Sequence, residues 1–265
     1  MDRRDSGDCR GSLAVVGIGP GSVEHMTPAA RRAVEAADAV AGYKTYIELI
    51  RPLLREDQEI LSSGMMQEVK RCRLAIQAAE KGGRVALVCS GDPGIYAMAG
   101  LVFELIREEN SRVEVEVIPG IAALNSCASL LGAPLMHDFA VISLSDLLTP
   151  WGIIEKRLEA AAMADFVTVI YNPRSKKRTI QILWARDIFL RHRDEDTPVG
   201  IVTGAMRENQ EIRLTTLEKM ADGEITMQST LIIGNSSTFV HGGTMITPRG
   251  YHGKYDLKRR ESGRP

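Results

Sequence analysis

The chain has 265 residues, 44% of them hydrophobic and 25% charged, which is the composition of an ordinary globular protein with room for two α/β lobes. Its 33 Lys and Arg nearly balance its 34 Asp and Glu, and only 5% of its residues are aromatic. This balance argues against a nucleic-acid partner and favours a small molecule. The four cysteines form no C-x-x-C pair, and no apolar run has the length of a membrane span. We therefore expect a cytoplasmic protein with reduced thiols and no membrane anchor.

The first half of the chain alternates predicted strands and helices. Leu13 to Val16 is typical of a buried strand, and it opens into the glycine-rich loop Gly17 to Gly21. Thr27 and Pro28 then predict a helix start, with the helix continuing to Ala41. The elements predicted next are a helix over 65–81, a strand over 84–89, a helix over 95–109, an exposed or edge strand over 113–118 and a small-residue helix from 120 to 131.

The second half begins after a predicted linker over 132–138. Its predicted elements are strand 139–144, helix 151–163, strand 166–171, helix 176–191 and strands 199–203, 211–217 and 230–234. This order indicates a mixed sheet covered by helices on both faces. We therefore predict a flexible leader over 1–11, an N-terminal lobe over 12–137, a C-terminal lobe over 138–253 and a flexible tail over 254–265.

The loop from Gly17 to Gly21 invites comparison with dinucleotide-binding loops, in which glycines bring a ligand close to the backbone. Ser22 stands where the third glycine of that motif belongs, and no acidic residue follows the strand-like segment Val40 to Tyr43 to bind a ribose. Pro20 also removes a backbone N–H donor from the loop. These features argue against a nicotinamide cofactor and leave a plain strand-to-helix turn as the alternative.

Two further loops follow predicted strands. Ser90 to Tyr96 and Pro119 to Ala123 both lie at carboxyl ends of strands, which line the ligand crevice in open α/β sheets. Asp92 could bind a ligand hydroxyl or ammonium group, or it could simply cap a helix.

In chain order, the segments GIGPG, SGDPGIY, PGIAA, YNPRS and MQSTLIIGN resemble the tetrapyrrole (corrin/porphyrin) methylases over residues 13–251. Within that family, GYKTYIELI, GMMQEVKRC, HDFAVISLSDLLTPW and TPRGY resemble the branch of precorrin-3B C-17 and cobalt-factor III methyltransferases. The resemblance implies an α/β fold of two lobes, each a mixed sheet flanked by helices, with S-adenosylmethionine in the cleft between them, and a homodimer. It also implies methylation of C-17 of precorrin-3B or cobalt-factor III, with ring contraction, in cobalamin biosynthesis.

The same resemblance assigns cofactor residues. Residues Gly91, Asp92 and Ile95 are implied to contact the amino-acid and ribose parts of S-adenosylmethionine. The remaining implied cofactor residues are Pro20, Ser90, Ala122, Ala123, Asn172 and Gly204. Small and apolar side chains suit a cofactor that is bound mainly through backbone groups.

Methyl transfer from a sulfonium needs alignment rather than a nucleophilic side chain, whereas ring contraction calls for a general acid or base. Glu68 and Arg71 lie one helical turn apart and are one candidate pair, with a solvated ion pair as the alternative. His137 is a second candidate, and a linker histidine without a role is its alternative.

The end of the first strand of the second lobe supplies further candidates. Ser143, Ser145 and Asp146 lie there, although Asp146 could instead cap the following helix. Arg174 could bind a carboxylate of the tetrapyrrole, or it could face solvent with the basic run 176–178.

We expect no metal site in the protein, because its five histidines show no ligand spacing, and any cobalt would arrive within the substrate. Three other functions remain as alternatives: a sister methylase acting on another carbon, a nicotinamide oxidoreductase, and a ligand-binding module without catalysis. The sequence leaves open whether the substrate contains cobalt.

Overall fold

The computed structural model describes residues 11–256, so most of the predicted leader and tail lies outside the described residues. The chain divides into two compact units. Unit 1 comprises the described residues up to Ser126 together with Met206–Glu208, and unit 2 comprises Cys127–Ala205 and the described residues from Asn209 onward. The division falls earlier than the boundary predicted at 137/138. Leu131 explains the difference, because its side chain lies directly against Gly200 of unit 2.

Unit 1 is built on a parallel sheet. Its strands are β1 (Ser12–Gly17), β2 (Ala39–Tyr43), β3 (Glu59–Ser63), β4 (Arg84–Cys89) and β5 (Glu114–Ile118). They lie in the order β3-β2-β4-β1-β5, and every neighbouring pair is parallel. The helices between them are α1 (Pro28–Ala36), α2 (Lys44–Leu49), α3 (Glu68–Glu80) and α4 (Ala99–Glu108). A helical crossover joins each strand to the next, and for that reason the sheet, expected to be mixed, is parallel throughout.

Two apolar clusters cover the faces of this sheet. On one face, Cys72 and Ile76 of α3 and Val102 of α4 pack with Leu13 and Leu87 of the strands. On the other face, helices α1 and α2 pack through the residues Ala30, Val34 and Ile47 against Val16, Val40 and Val88. Unit 1 therefore has helices on both faces, and its strands are apolar on both sides, as parallel sheets require.

Unit 2 contains a mixed sheet, as predicted. The elements from α5 onward are α5 (Ala123–Leu131), β6 (Gly132–Ala133), β7 (Phe139–Ser143), α6 (Trp151–Met163), β8 (Val167–Tyr171), α7 (Gln181–Leu190), β9 (Pro198–Thr203), β10 (Glu211–Thr216), β11 (Ser229–Ile233), β12 (Phe239–His241) and β13 (Thr244–Ile246). The main sheet has the order β10-β9-β11-β8-β7, in which only the β7–β8 pair is parallel. Strands β12, β13 and β6 form a second, three-stranded sheet.

The core of unit 2 lies between its main sheet and helices α6 and α7. Leu158 of α6 and Phe189 of α7 are buried with Ile170 and Leu231 of the sheet. Gly200 points to the opposite face, where Leu131 of α5 fills the space of its missing side chain. The predicted α/β fold with helices on both faces is thereby confirmed.

Several predicted elements match the structure closely. Strand 84–89 and helix 151–163 have the predicted bounds, and Thr27 caps α1 by accepting a hydrogen bond from the Ala30 N–H at 3.1 Å. The helix predicted to continue to Ala41 is wrong after Ala36. Ala37 already has extended dihedral angles, and residues 39–43 form β2, buried between β3 and β4.

Two predicted helices begin later than expected. The helix predicted from residue 95 begins at Ala99, because Tyr96 has a left-handed backbone with φ 52°. The helix predicted from residue 176 begins at Gln181, since Arg178 turns inward and donates to the Asn172 carbonyl at 3.1 Å. The strands β3, β12 and β13 and the helix α2 were not predicted, and the predicted linker contains β6.

Within residues 11–256, none of the helices is both long enough and apolar enough to cross a membrane. Cys72, Cys89 and Cys127 are buried and form no disulfide. Burial raises the pKa of Cys72 and of Cys89 to about 12, so both thiols stay protonated at neutral pH.

Arg193 joins three segments of unit 2. Its Nη2 donates to the Phe166 carbonyl at 2.6 Å and to the Ala161 carbonyl at 3.3 Å, and its Nη1 donates to the Gly234 carbonyl. Its side chain is 1% exposed, and its Nε lies 3.6 Å from Asp165 Oδ1. Burial lowers the pKa of this guanidinium, and the carboxylate of Asp165 opposes that shift.

We expect Arg193→Met to lower the free energy of unfolding by about 3 kcal/mol, because three buried carbonyls lose their donor. Urea denaturation would measure the loss. Arg191→Met is the matched control, since Arg191 is half-exposed and pairs only with Glu159, so its removal should cost about 0–1 kcal/mol. Equal denaturation midpoints for the two variants would contradict this account of Arg193.

Candidate functional site

The loops of unit 1 that follow β1, β4 and β5 meet at one edge of its sheet. Parallel strands have their carboxyl ends on the same side, and β4, β1 and β5 are adjacent in the sheet. Gly19 of the first loop and Gly91 of the second exchange two backbone hydrogen bonds, of 3.2 Å and 2.7 Å. The first two glycine loops singled out in the sequence are therefore joined directly.

The backbone of the third loop lies directly against the backbone of the first two. A Cβ on Gly17 would lie 2.6 Å from the backbone N of Gly120 and 2.6 Å from the carbonyl O of Gly91. No side chain fits at that distance, so glycine at position 17 permits the close approach of all three loops. Thr27 adds a further link, because its hydroxyl donates to the Pro119 carbonyl at 3.3 Å.

Asp92 is held between the second and third loops. Its Oδ1 accepts a hydrogen bond from the Gly94 N–H at 2.8 Å, and its Oδ2 accepts one from the Gly120 N–H at 3.2 Å. The alternative that Asp92 caps a helix is not realised, because the N-cap of α4 is Met98. Asp92 therefore fixes the relative positions of two loops.

Arg207 is a residue of this edge that sequence reasoning missed. Its Nε donates to the Pro20 carbonyl at 2.7 Å, and its Nη2 donates to the Ser90 hydroxyl at 3.0 Å. The guanidinium lies over Gly21, where a Cβ would come within 2.9 Å of Nε and closer still to Cγ. The only signal in the sequence is a charged residue shortly after Gly204, at the end of a predicted strand.

Most of the cofactor residues implied by the resemblance lie at this edge. The seven that belong to unit 1 are in the three loops or at the start of α5: Pro20, Ser90, Gly91, Asp92, Ile95, Ala122 and Ala123. Gly91 is buried and has a left-handed backbone with φ 69°, a conformation that favours glycine, and a Cβ there would lie 3.7 Å from Ala122 of the third loop. Small side chains and one carboxylate suit a cofactor with an amino-acid part and a ribose.

Glu68 and Arg71 do not act as a pair in the structure. Glu68 is exposed, whereas Arg71 is 4% exposed, which also rules out the solvated ion pair. Arg71 turns toward the carboxyl ends of β2 and β3, where its guanidinium carbon lies 5.8 Å from the centre of the Tyr43 ring. Tyr43 in turn packs edge-on against Tyr46, with ring centres 5.2 Å apart.

Tyr46 is a partly buried phenol near the guanidiniums of Arg71 and Arg207. Burial raises the pKa of Tyr46 above its ordinary value, and the positive charges of Arg207 and Arg71 oppose that rise. Two guanidiniums from distant parts of the sequence therefore act on one phenol at the carboxyl edge of unit 1.

Unit 2 has a corresponding edge. Strands β7 and β8 are parallel, and β9 has the same direction because β11 is antiparallel to both β8 and β9. Ser143, Asn172 and Gly204 therefore lie at or directly after the carboxyl ends of these strands. The Asn172 amide donates to the Ser143 hydroxyl at 2.9 Å, and Asn172 has a left-handed backbone with φ 51°.

Two buried side chains support the loop after β7. Arg178 donates to the Ser145 hydroxyl at 3.4 Å and to the Asn172 carbonyl, so it does not face solvent with the basic run. The Gln181 amide donates to Asp146 at 2.9 Å. Asp146 does not cap the following helix, because the N-cap of α6 is Pro150. Arg178 Nε and Gln181 Oε1 are buried without a hydrogen-bond partner among the described residues.

Of the remaining candidates, His137 is separated from this edge of unit 2. It lies at the amino end of β7, 45% exposed, and its Nδ1 accepts from the Asp138 N–H at 2.9 Å. Arg174 is partly exposed and follows Asn172 closely, so it lies near the edge. Arg174 makes no hydrogen bond or ion pair within the described part of the chain, which leaves its guanidinium available for a ligand.

The strand order of unit 1 bears on the nicotinamide alternative. The dinucleotide-binding fold has its first strand between its second and fourth strands, whereas β1 lies here between β4 and β5. Together with Arg207 on the Pro20 carbonyl, this order argues against a pyrophosphate on the first loop. Across residues 11–256, no group of three His, Cys, Asp or Glu side chains is arranged to hold a metal ion.

Comparison with known proteins gives consistent matches. The sequence profile described as Tetrapyrrole (Corrin/Porphyrin) Methylases matches residues 12–221. A protein from Priestia megaterium named cobalt-factor III methyltransferase is 54% identical over 95% of this chain, and the chain spans only 47% of that relative's length. A Salmonella typhimurium protein named probable cobalt-factor III C(17)-methyltransferase is 51% identical, over 90% of this chain and 99% of its own length.

Solved structures match as well. The methyltransferase CobJ superposes with a TM-score of 0.84 at 34% identity, over 90% of this chain and 100% of its own. A uroporphyrin-III C-methyltransferase from Thermus thermophilus, in complex with S-adenosyl homocysteine, has a TM-score of 0.67 at 25% identity, over 84% of this chain and 92% of its own. These matches confirm the family and the branch that the sequence motifs predicted. The chain belongs to the tetrapyrrole (corrin/porphyrin) methylase family.

Proposed function

We propose that this protein is an S-adenosylmethionine-dependent methyltransferase that methylates C-17 of cobalt-factor III or precorrin-3B, with ring contraction, in cobalamin biosynthesis. The observation that carries the proposal is the 51% identity to the Salmonella typhimurium relative over 99% of that relative's length. Cobalt-factor III is the favoured substrate, because the relatives at 54% and 51% identity carry that name.

The unit 1 edge supports the cofactor part of the proposal. When bound, S-adenosylmethionine supplies an activated methyl group on a sulfonium, so the chain itself needs to bind and orient rather than to attack. We assign cofactor binding to the seven residues of the three joined loops, with Asp92 holding two of the loops in register through Gly94 and Gly120. Asn172 and Gly204 remain cofactor residues by resemblance.

The substrate part rests on polar groups near the carboxyl edge of the main sheet of unit 2. Ser143 and Asp146 of unit 2 remain candidates for acid or base chemistry in ring contraction, and Arg174 remains a candidate for a substrate carboxylate. Glu68 is weaker as a candidate, since it is exposed and apart from Arg71, and His137 is weaker because it lies at the other end of β7. A homodimer in the cytoplasm, as in the family, completes the proposal.

Anaerobic incubation with S-adenosylmethionine and, separately, with cobalt-factor III and precorrin-3B tests the activity. We expect cobalt-factor III to gain one methyl group and to change to a ring-contracted absorption spectrum. Mass spectrometry and absorption would follow both events. If neither compound gains a methyl group while S-adenosylmethionine binds, the C-17 assignment fails and a sister methylase acting on another carbon becomes the better proposal.

The contact between Arg207 and Gly21 predicts coupled effects on cofactor binding. Arg207→Ala removes the donors to Pro20 and Ser90, and Gly21→Ala displaces the same guanidinium sterically. We expect each change to raise the Kd of S-adenosylmethionine about tenfold, and the double variant to be no worse than the weaker-binding single variant. Calorimetric titration of the three variants would measure the coupling.

Gly100→Ala is the matched control for the glycine change. Gly100 lies in α4 of the same unit, and a Cβ there would have no neighbour within 4 Å, so the Kd should not change. Additive losses of affinity in the double variant would show that Gly21 and Arg207 act independently, against the coupling described here.

A further inference from the structure

Arg71 is a buried cation at the carboxyl edge of unit 1. Its Nε donates to the Ser63 hydroxyl at 2.8 Å, and its Nη2 donates to the Gly64 carbonyl at 2.9 Å. The Tyr43 ring lies beside its guanidinium. These groups come from the end of β2, the end of β3 and the loop that follows β3, so the guanidinium lies where the carboxyl ends of two strands meet.

Every acceptor of Arg71 is electrically neutral. Within residues 11–256 it forms no ion pair, and Nη1 makes no hydrogen bond. Of the two other buried arginines described above, Arg193 has Asp165 at 3.6 Å, whereas Arg178 also donates to neutral acceptors. A buried guanidinium without a counter-ion costs several kcal/mol of desolvation, and a bound anion would offset that cost. A bound anion would supply Arg71 with the counter-ion that the described residues do not provide.

The surroundings indicate what kind of anion. Strand β2 neighbours β4 in the sheet, so the strand ends that hold Arg71 lie on the same edge as the joined glycine loops but outside the group formed by β4, β1 and β5. Arg207, whose partners are also neutral, adds a second positive charge near Tyr46. Met65 and Met66, in the loop directly after Gly64, are 62% and 80% exposed and present an apolar surface. One buried and one partly exposed cation, together with exposed apolar side chains, suit an apolar ring system that carries carboxylates.

We propose that Arg71 binds a carboxylate group of a ligand at this edge, through the guanidinium that Ser63, Gly64 and Tyr43 orient. The inference rests on the proposed function, which supplies two carboxylate-bearing ligands: the tetrapyrrole, with carboxylates around its rim, and S-adenosylmethionine, with one carboxylate in its methionine part. The position of Arg71 at the β2 and β3 ends, away from the joined glycine loops, favours the tetrapyrrole.

Arg71→Gln tests the inference, with Arg73→Gln as the matched control. Arg73 lies on the same helix but is half-exposed and paired with Glu109 at 2.7 Å. Equilibrium dialysis would give the Kd of each variant for cobalt-factor III, S-adenosylmethionine and decarboxylated S-adenosylmethionine. We expect Arg71→Gln to raise the Kd of cobalt-factor III about tenfold or more, while Arg73→Gln leaves all three values unchanged. If Arg71→Gln instead weakens S-adenosylmethionine but not its decarboxylated form, the carboxylate is that of the cofactor.

The methyl ester of the tetrapyrrole distinguishes carboxylate binding by Arg71 from a purely structural role, because the ester lacks the negative charges of the carboxylates. If Arg71 binds a carboxylate, Arg71→Gln and wild type should bind the ester equally, and Arg71→Lys should recover part of the affinity for the acid form. Equal loss of affinity for acid and ester, or unchanged affinity for all ligands in a folded Arg71→Gln, would overturn the inference. Arg71→Lys keeps the charge, so it permits the same comparison should Arg71→Gln not fold.

These outcomes are distinct from failure of the proposed function, because the measurement is binding and not turnover. If wild type binds cobalt-factor III without methylating it, the proposed activity is refuted, and the comparison of the Arg71 variants with wild type still decides whether Arg71 binds a carboxylate. If wild type methylates cobalt-factor III and Arg71→Gln binds it with equal affinity, the proposed activity is supported and the role of Arg71 is refuted. Wild type that binds neither ligand would end both.

Discussion

The candidate site depends on the close approach of three strand ends in unit 1. Strands β4, β1 and β5 are parallel neighbours, so their following loops leave the sheet side by side. Side chains at this point would force the loops apart, and Gly17 against the backbone of Gly91 and Gly120 avoids that. Asp92 links the second and third loops, and Arg207 links the first and second. The backbone that would meet a cofactor is therefore fixed by contacts among the loops themselves.

The carboxyl edge of the unit 1 sheet carries more positive than negative side chains among Asp92, Arg71 and Arg207. The carboxylate of Asp92 is satisfied by backbone N–H groups, whereas the guanidiniums of Arg71 and Arg207 have only neutral acceptors among the described residues. Among these three side chains, two positive charges stand against one negative charge, so the described residues leave an excess of positive charge at the edge. Such an arrangement favours anionic ligands and draws them in over a distance of about 10 Å at ordinary salt concentrations. A polycarboxylate tetrapyrrole fits this field better than a neutral substrate would.

The sequence predicted the elements that have strong local signals. Thr27 and Pro28 marked the start of α1, and strand 84–89 has the bounds expected of a buried apolar run between glycine and serine. Residues 39–41 misled because alanine favours a helix locally, while pairing with β3 and β4 decides the matter in the fold. The motifs located the loops of the site. They did not reveal the partners of Arg71 or the role of Arg207, because those contacts join residues far apart in sequence.

The late position of Arg207 in the chain has a consequence for the order of folding. The sheet of unit 1 is complete once residue 118 has been synthesised, yet the guanidinium that holds Pro20 lies 187 residues beyond it. Closing so long a loop is slow compared with forming neighbouring contacts. Unit 1 can therefore acquire its core during synthesis before Arg207 contacts its first two loops. Full ligand affinity would then be the last property to arise, because it depends on a segment of three residues that the chain returns from its second half.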